Sequence, residues 1–235
     1  MTEHDKRISD KFKQKDWNEV RINDSWMLFK IMGEFTRGFE GMSRLGPCVS
    51  IFGSARTQMD HRYYTLAEEI SYGVTQLGFG IITGGGPGIM EAANKGARRA
   101  GGKSVGLGIE LPFEAGNNEF IDHDLSHSFD YFFVRKVLLV KYAQAFIVLP
   151  GGFGTLDELF EALTLIQTNK IGRFPIVLVG KEYWGGLIDW LEKTLLQEGK
   201  ISESDLKLYR LVDTAEEAVG HIQAFYDKYA VKQNF

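Results

Sequence analysis

The stretch Pro150-Gly151-Gly152-Phe153-Gly154-Thr155, followed shortly by Glu158, brings bare backbone, a hydroxyl and a carboxylate close together. Glycine in a helical setting costs roughly 1 kcal/mol relative to alanine, so a cluster of glycines at a helix start must serve a turn or a ligand. Successive N–H groups in such a run can converge on an anion, and the helix macrodipole adds to the attraction. The chemistry on offer is a phosphate seat with a carboxylate beside it. The same residues also support a purely structural account, in which Thr155 is an N-cap and Glu158 completes the T-x-x-E pattern of a capping box. Both accounts stay open on these residues.

Helical spacing bears on the choice. Leu156, Leu159, Phe160 and Leu163 read as the core stripe, and Asp157, Glu161, Thr164 and Thr168 as the polar face. Glu158 falls on neither, sharing a flank with Ala162 and Leu165, which suits a carboxylate with perturbed chemistry. Cations occur in YFFVRKVLLVKYA, a helix apolar on nearly every side and so expected to be buried. Its Arg135 and Lys136 lie near the N-terminal end, where the dipole disfavours them, and buried cations need anionic partners. A structural carboxylate, a substrate phosphate or a catalytic glutamate would serve equally well.

These groups need elements to position them. The runs CVSIFGS, FGIITGGG, KSVGLGI, AFIVLPGG and PIVLVG read as buried strands of a mostly parallel sheet. Helical segments at about 62–77, 88–100, 131–143 and 155–168 alternate with them. Strand and helix repeated this way predict a doubly wound α/β fold. Residues 1–45 read as an N-terminal helical arm, with Ile22, Trp26, Phe29 and Gly33 near one stripe, and residues 46–235 as the α/β domain. The arm is expected to cover the core or another subunit, with recruitment of a partner as the other reading. From Tyr183 onward further helices are expected, with no chemistry evident.

Three loops follow predicted strands and should share the carboxyl edge where such sheets bind ligands: Gly53-Ser54-Ala55-Arg56, Gly84-Gly85-Gly86-Pro87-Gly88, and Pro150 to Thr155. None carries the dinucleotide fingerprint G-x-G-x-x-G. Gly102-Lys103-Ser104 resembles the end of a P-loop, but Ala97 replaces its first glycine and the order of helix and strand is reversed. His123 and His127, within IDHDLSHSFD, fall on a loop and a short strand, where they cannot share a metal as they would on a helix.

Composition narrows the classes. The chain has 235 residues, 44% hydrophobic and 25% charged, with a formal net charge of -4 that gives no sign of a nucleic-acid surface. Its one cysteine, Cys48, excludes an intramolecular disulfide and sits in an apolar run where it is expected to be packed. The charged N-terminus is no signal peptide, and no apolar stretch is long enough to span a bilayer, so a cytoplasmic location is expected.

GGGPGIMEAAN, the Arg135-Lys136 pair and PGGFGTLDE together resemble the LONELY GUY family of phosphoribohydrolases, many of which carry an old label of lysine decarboxylase; the match runs from about Pro47 to Val179. The resemblance implies a modified Rossmann fold, a homo-oligomer of two or more chains, and hydrolysis of nucleoside 5′-monophosphates such as AMP or cytokinin riboside 5′-monophosphate. The products would be a free base and ribose 5-phosphate. It puts the catalytic arginine and glutamate on Arg135 and Glu158 and the phosphate loop on Gly151, Gly152, Gly154 and Thr155. Ser54, Arg56, Gly85, Gly86, Glu91 and Lys136 are expected to add substrate contacts. No cofactor, metal, nucleic acid or membrane partner is expected. Shorter members have M-H-x-R-K where this chain has Phe132-Phe133-Val134-Arg135-Lys136, which with the arm points to a longer branch. The reading from another class is a non-catalytic carrier of a nucleotide or of molybdenum cofactor.

Overall fold

Strands that lie between two layers of helix must be apolar on both faces, and the central strands meet that demand. In the computed structural model, which describes residues 17–110 and 116–231 and only the backbone of 17–23, every residue of β1 (Cys48–Phe52), β2 (Gly80–Thr83), β5 (Ala143–Val148) and β6 (Ile176–Val179) is buried. With β3 (Ser104–Ile109), β4 (Ser126–Phe129) and β7 (Arg210–Val212) they form one sheet ordered β4-β3-β2-β1-β5-β6-β7. Every pairing in it is parallel. The two edge strands are short and partly exposed.

Parallel neighbours need crossovers, and helices supply most of them: α2 (Arg62–Gln76), α3 (Ile89–Arg99), α4 (Phe132–Lys141), α5 (Phe153–Gln167) and α6 (Lys181–Trp190), with α7 (Ala215–Tyr226) after β7. The chain builds outward from β1 to β4 and then returns to place β5 on the other side of β1. The strand order therefore reverses between β1 and β5, the place where doubly wound sheets open a ligand crevice. One side of the sheet is sealed by a cluster that includes Val49, Ile51, Ile70, Val74, Ile89 and Ile147. Cys48 is buried, which pushes its thiol up to about 12 and keeps it unreactive, as its apolar setting predicts.

The chain divides into two units, Met1–Arg37 and Gly38–Phe235. Helix α1 (Trp17–Met42) begins in the first and ends in the second. In the first unit Trp26, Met27, Leu28, Phe29 and Met32 are exposed, and the ring of Trp26 meets that of Phe29 edge-on. Ile22, assigned to the same stripe, lies outside the residues whose side chains are described. Among the described residues no helix is long and apolar enough to cross a membrane.

Three sequence expectations need correction. Helix α4 is not buried throughout: Val134, Leu138, Leu139 and Val140 are, but Phe132 and Phe133 are about half exposed. The buried face of α5 is Thr155, Glu158, Leu159, Ala162 and Ile166, while Leu156, Phe160 and Leu163 are only partly covered. Apolar periodicity defines an arc on a helix but not which edge of the arc meets the sheet, and here the edge bearing Ala162 turns inward. The stretch after Tyr183 contains a strand, β7, as well as helices.

Candidate active site

The three glycine-bearing loops meet at the carboxyl edge of the sheet, over the β1–β5 reversal. Ser54 N donates to Pro150 O at 2.9 Å, and Ile89 N donates to Ser54 O at 3.1 Å, so the first loop is tied to both others. Together they line a cleft of about 1330 Å³ that receives Arg135 from α4 and Glu158 from α5.

Helix α5 starts earlier than its T-x-x-E pattern suggests. Gly152 is the N-cap, in extended conformation, so Thr155 is the third helical residue and makes no cap. The capping-box account of Glu158 therefore fails. The identical pattern at Thr214 and Glu217 does form a capping box at α7, because there the threonine itself is the extended residue. At α5 the preceding glycines let the backbone enter the helix before Thr155, leaving the first N–H groups without intrahelical acceptors, at the positive end of the dipole.

The glycines of this loop differ in why they are glycine. A Cβ at Gly151 would collide with Thr155 Oγ1, so close packing fixes that position. At Gly152 and Gly154 a Cβ would meet no protein atom within 4 Å, and neither residue has positive φ. Neither packing nor backbone conformation within the chain requires glycine there. Both line the cleft, where bare backbone lets an anion approach the helix start.

On α4, Phe132, Arg135 and Leu139 share one face, and all three line the cleft. The Arg135 guanidinium stacks over the Phe132 ring at 5.0 Å, and its Nη2 lies 3.7 Å from Glu158 Oε1. That separation is an ion pair beyond hydrogen-bond reach. Glu158 is 4% exposed, and its Oε2 is buried without a hydrogen-bond partner. Burial is the strongest influence on this carboxyl and pushes it up to about 7, against the pull of Arg135 and Lys136. A carboxylate that gains and loses its proton near neutrality, inside a cleft, suits acid–base work or stabilisation of a cation.

The remaining expected residues scatter. Ser54, Arg56 and Gly86 line the cleft; Gly85, Glu91 and Lys136 are not among its lining residues. Gly85 sits behind the loop at positive φ, its N–H donated to Thr83 Oγ1. Glu91 accepts from the Tyr64 hydroxyl at 2.6 Å, and burial with that hydrogen bond pushes the phenol far above its ordinary range. Lys136 lies one residue round the helix from Arg135 and pairs with Asp157 at 2.8 Å and Glu161 at 3.6 Å on α5. Burial opposes its charge, but the hydrogen bond to Asp157 and the nearby carboxylates outweigh it and raise its pKa.

Tyr183 and Asn117 are among the cleft residues that sequence reading did not single out. Tyr183, on α6, donates its hydroxyl to Gly151 O at 2.6 Å and braces the glycine loop. The rule that loops after strands share one edge applies to β6 as well, and would have singled it out. Asn117 reaches the cleft from the segment after β3, which carried no recognisable signal.

The family model described as Possible lysine decarboxylase matches residues 90–222. The chain is 36% identical over 160 residues to a cytokinin riboside 5′-monophosphate phosphoribohydrolase of Mycobacterium tuberculosis, covering 66% of this chain and 82% of that one. A protein of the same name from Mycobacterium marinum is 31% identical over 157 residues, with the same coverage of 66% and 82%. Among solved structures, the molybdenum cofactor carrier protein of Chlamydomonas reinhardtii superposes with a TM-score of 0.56 over 77% of this chain and 99% of that one. At 20% identity that likeness shows a shared Rossmann-like fold.

Proposed function

Because the chain belongs to the LONELY GUY family of phosphoribohydrolases, we propose that it hydrolyses the N-glycosidic bond of a nucleoside 5′-monophosphate, AMP or a cytokinin riboside 5′-monophosphate. The observation that carries this reading is the buried Glu158 carboxylate, 3.7 Å from Arg135 and on the same helix whose glycine start faces the cleft. In this reaction the bond between C1′ and the base nitrogen breaks and the base leaves with the bonding pair. Water then bonds to C1′ and gives up a proton while the departing base takes one up, yielding ribose 5-phosphate and the free base.

Each residue has a task in that sequence. The α5 N-terminus holds the 5′-phosphate, and this remote binding fixes the sugar. Ionised Glu158 stabilises the cation-like sugar, orients the attacking water and is placed to take its proton. Arg135 favours the ionised form of Glu158 and keeps its side chain aimed into the cleft. A decarboxylase of the kind the family model's description names would use pyridoxal phosphate on a Schiff-base lysine. Among the described residues no lysine lines the cleft, so the residues present do not fit that group.

Phosphate recognition gives the test of this reading. Two charge-assisted hydrogen bonds contribute on the order of 3 kcal/mol or more, so AMP should bind at least roughly 100-fold more tightly than adenosine. Gly152→Ala and Gly154→Ala should narrow that gap without lowering the melting temperature, since neither Cβ meets a packed neighbour. Calorimetry giving equal affinities for AMP and adenosine would remove the phosphate seat.

A further inference from the structure

Behind the second glycine loop lies a polar cluster that the proposed hydrolysis does not use. Asn94, on α3, is fully buried. Its Nδ2 donates to Ser104 Oγ at 2.9 Å and to Val105 O at 3.2 Å. Its Oδ1 accepts from Thr83 Oγ1 at 2.6 Å and from Asn118 Nδ2 at 3.0 Å. Thr83 Oγ1 in turn accepts from Gly85 N at 3.0 Å. Asn118 grips the loop itself. Its backbone N–H donates to Gly85 O at 2.8 Å, and its Nδ2 lies 3.0 Å from Gly85 O and 3.1 Å from Gly86 O. Its Oδ1 accepts from Phe120 N at 3.2 Å, which fixes which way the amide faces.

Peptide geometry links this cluster to the cleft. The described backbone has no cis bond, so the C=O of Gly85 and the N–H of Gly86 point in opposite directions within their shared plane. With that C=O held by Asn118, the N–H of Gly86 points away from Asn118. Gly86 lines the cleft, whereas Asn118 lines the neighbouring groove. The next carbonyl, of Gly86, also turns to Asn118, and no donor is misdirected by it because Pro87 has no N–H. A peptide between two glycines rotates at little steric cost, so an outside grip is needed to hold one orientation.

We infer that Asn118 is a positioning residue: braced by Asn94, it sets the Gly85–Gly86 peptide so that the Gly86 N–H donates to an anionic or hydroxyl oxygen of the bound ligand. The assignment deepens the function proposed above and rests on it for the ligand, but not for the loop geometry. Asn118→Ala removes the amide and keeps the backbone N–H. Asn118→Asp keeps the shape and the bond from Phe120, but sets a carboxylate oxygen against three acceptors and should do more damage.

In the ligand-free protein, amide exchange at Gly85 read by NMR should accelerate at least roughly tenfold in Asn118→Ala, and further in Asn118→Asp, with exchange in β5 unchanged. AMP, as the probe, should bind at least roughly tenfold more weakly, with the apparent pKa of kcat/KM unmoved because Glu158 and Arg135 are untouched. Unchanged exchange at Gly85 in both variants overturns the positioning role, whether or not AMP binds. Faster exchange with undiminished AMP affinity overturns the donor role of Gly86. Faster exchange in a protein whose wild type binds no AMP upholds the grip of Asn118 and counts against the proposed function.

Discussion

Glu158→Gln is expected to lower turnover by roughly 100-fold or more while phosphate binding survives. The neutral amide keeps the volume of the side chain but cannot stabilise a sugar cation or accept a proton from water. Stability should move the other way. Glu158 has its folded pKa raised from 4.5 to about 7, so the folded state resists its ionisation. The penalty is absent below pH 4.5, grows between pH 4.5 and about 7, and is complete above that, on the order of 3 kcal/mol. Glu158→Gln should therefore melt at a higher temperature than the wild type at pH 8 and nearly match it near pH 4.5. Melting curves at the two pH values, beside turnover, check both halves. Near-normal turnover would leave Glu158 outside the chemistry.

Arg135→Ala should also lose roughly 100-fold in kcat/KM at pH 7, for a different reason. Arg135 is the strongest of the influences that lower the Glu158 pKa, so its removal lets burial push that pKa higher still. If the ionised carboxylate is the working form, wild-type kcat/KM rises with pH through about 7. In the variant the rise should move to higher pH, and part of the lost activity should return in alkaline buffer. A pH–rate profile with the same midpoint in both proteins would show that Arg135 does not act through Glu158.

The parallel sheet and the shared edge of the three loops were legible because they rest on buried apolar runs, each ending in glycine. Glu158 was legible as a carboxylate beside an anion seat, yet its burial was not. The leucines at 156 and 163 outweigh Ala162 in any apolar count, and only the sheet decides which edge of the helix it covers. The helix start was hidden for a related reason. T-x-x-E describes both Thr155 and Thr214, and the difference lies in whether preceding glycines can take the N-cap role first. Lys136, paired in sequence with Arg135, separates from it because adjacent helical residues point about 100° apart. The hold of Asn118 on Gly85 and Gly86 spans residues far apart in the chain, joined only once β3 has placed them.

The most direct measurement is chromatography of the products formed when the wild-type protein is incubated with a panel of nucleoside 5′-monophosphates that includes AMP and a cytokinin riboside 5′-monophosphate. Hydrolysis at C1′ predicts free base and ribose 5-phosphate in equal amounts from at least one of them, and no base from the matching nucleoside without its phosphate. Tight binding of the nucleotides with no base released from any of them would contradict it, and would make the cleft a carrier's seat.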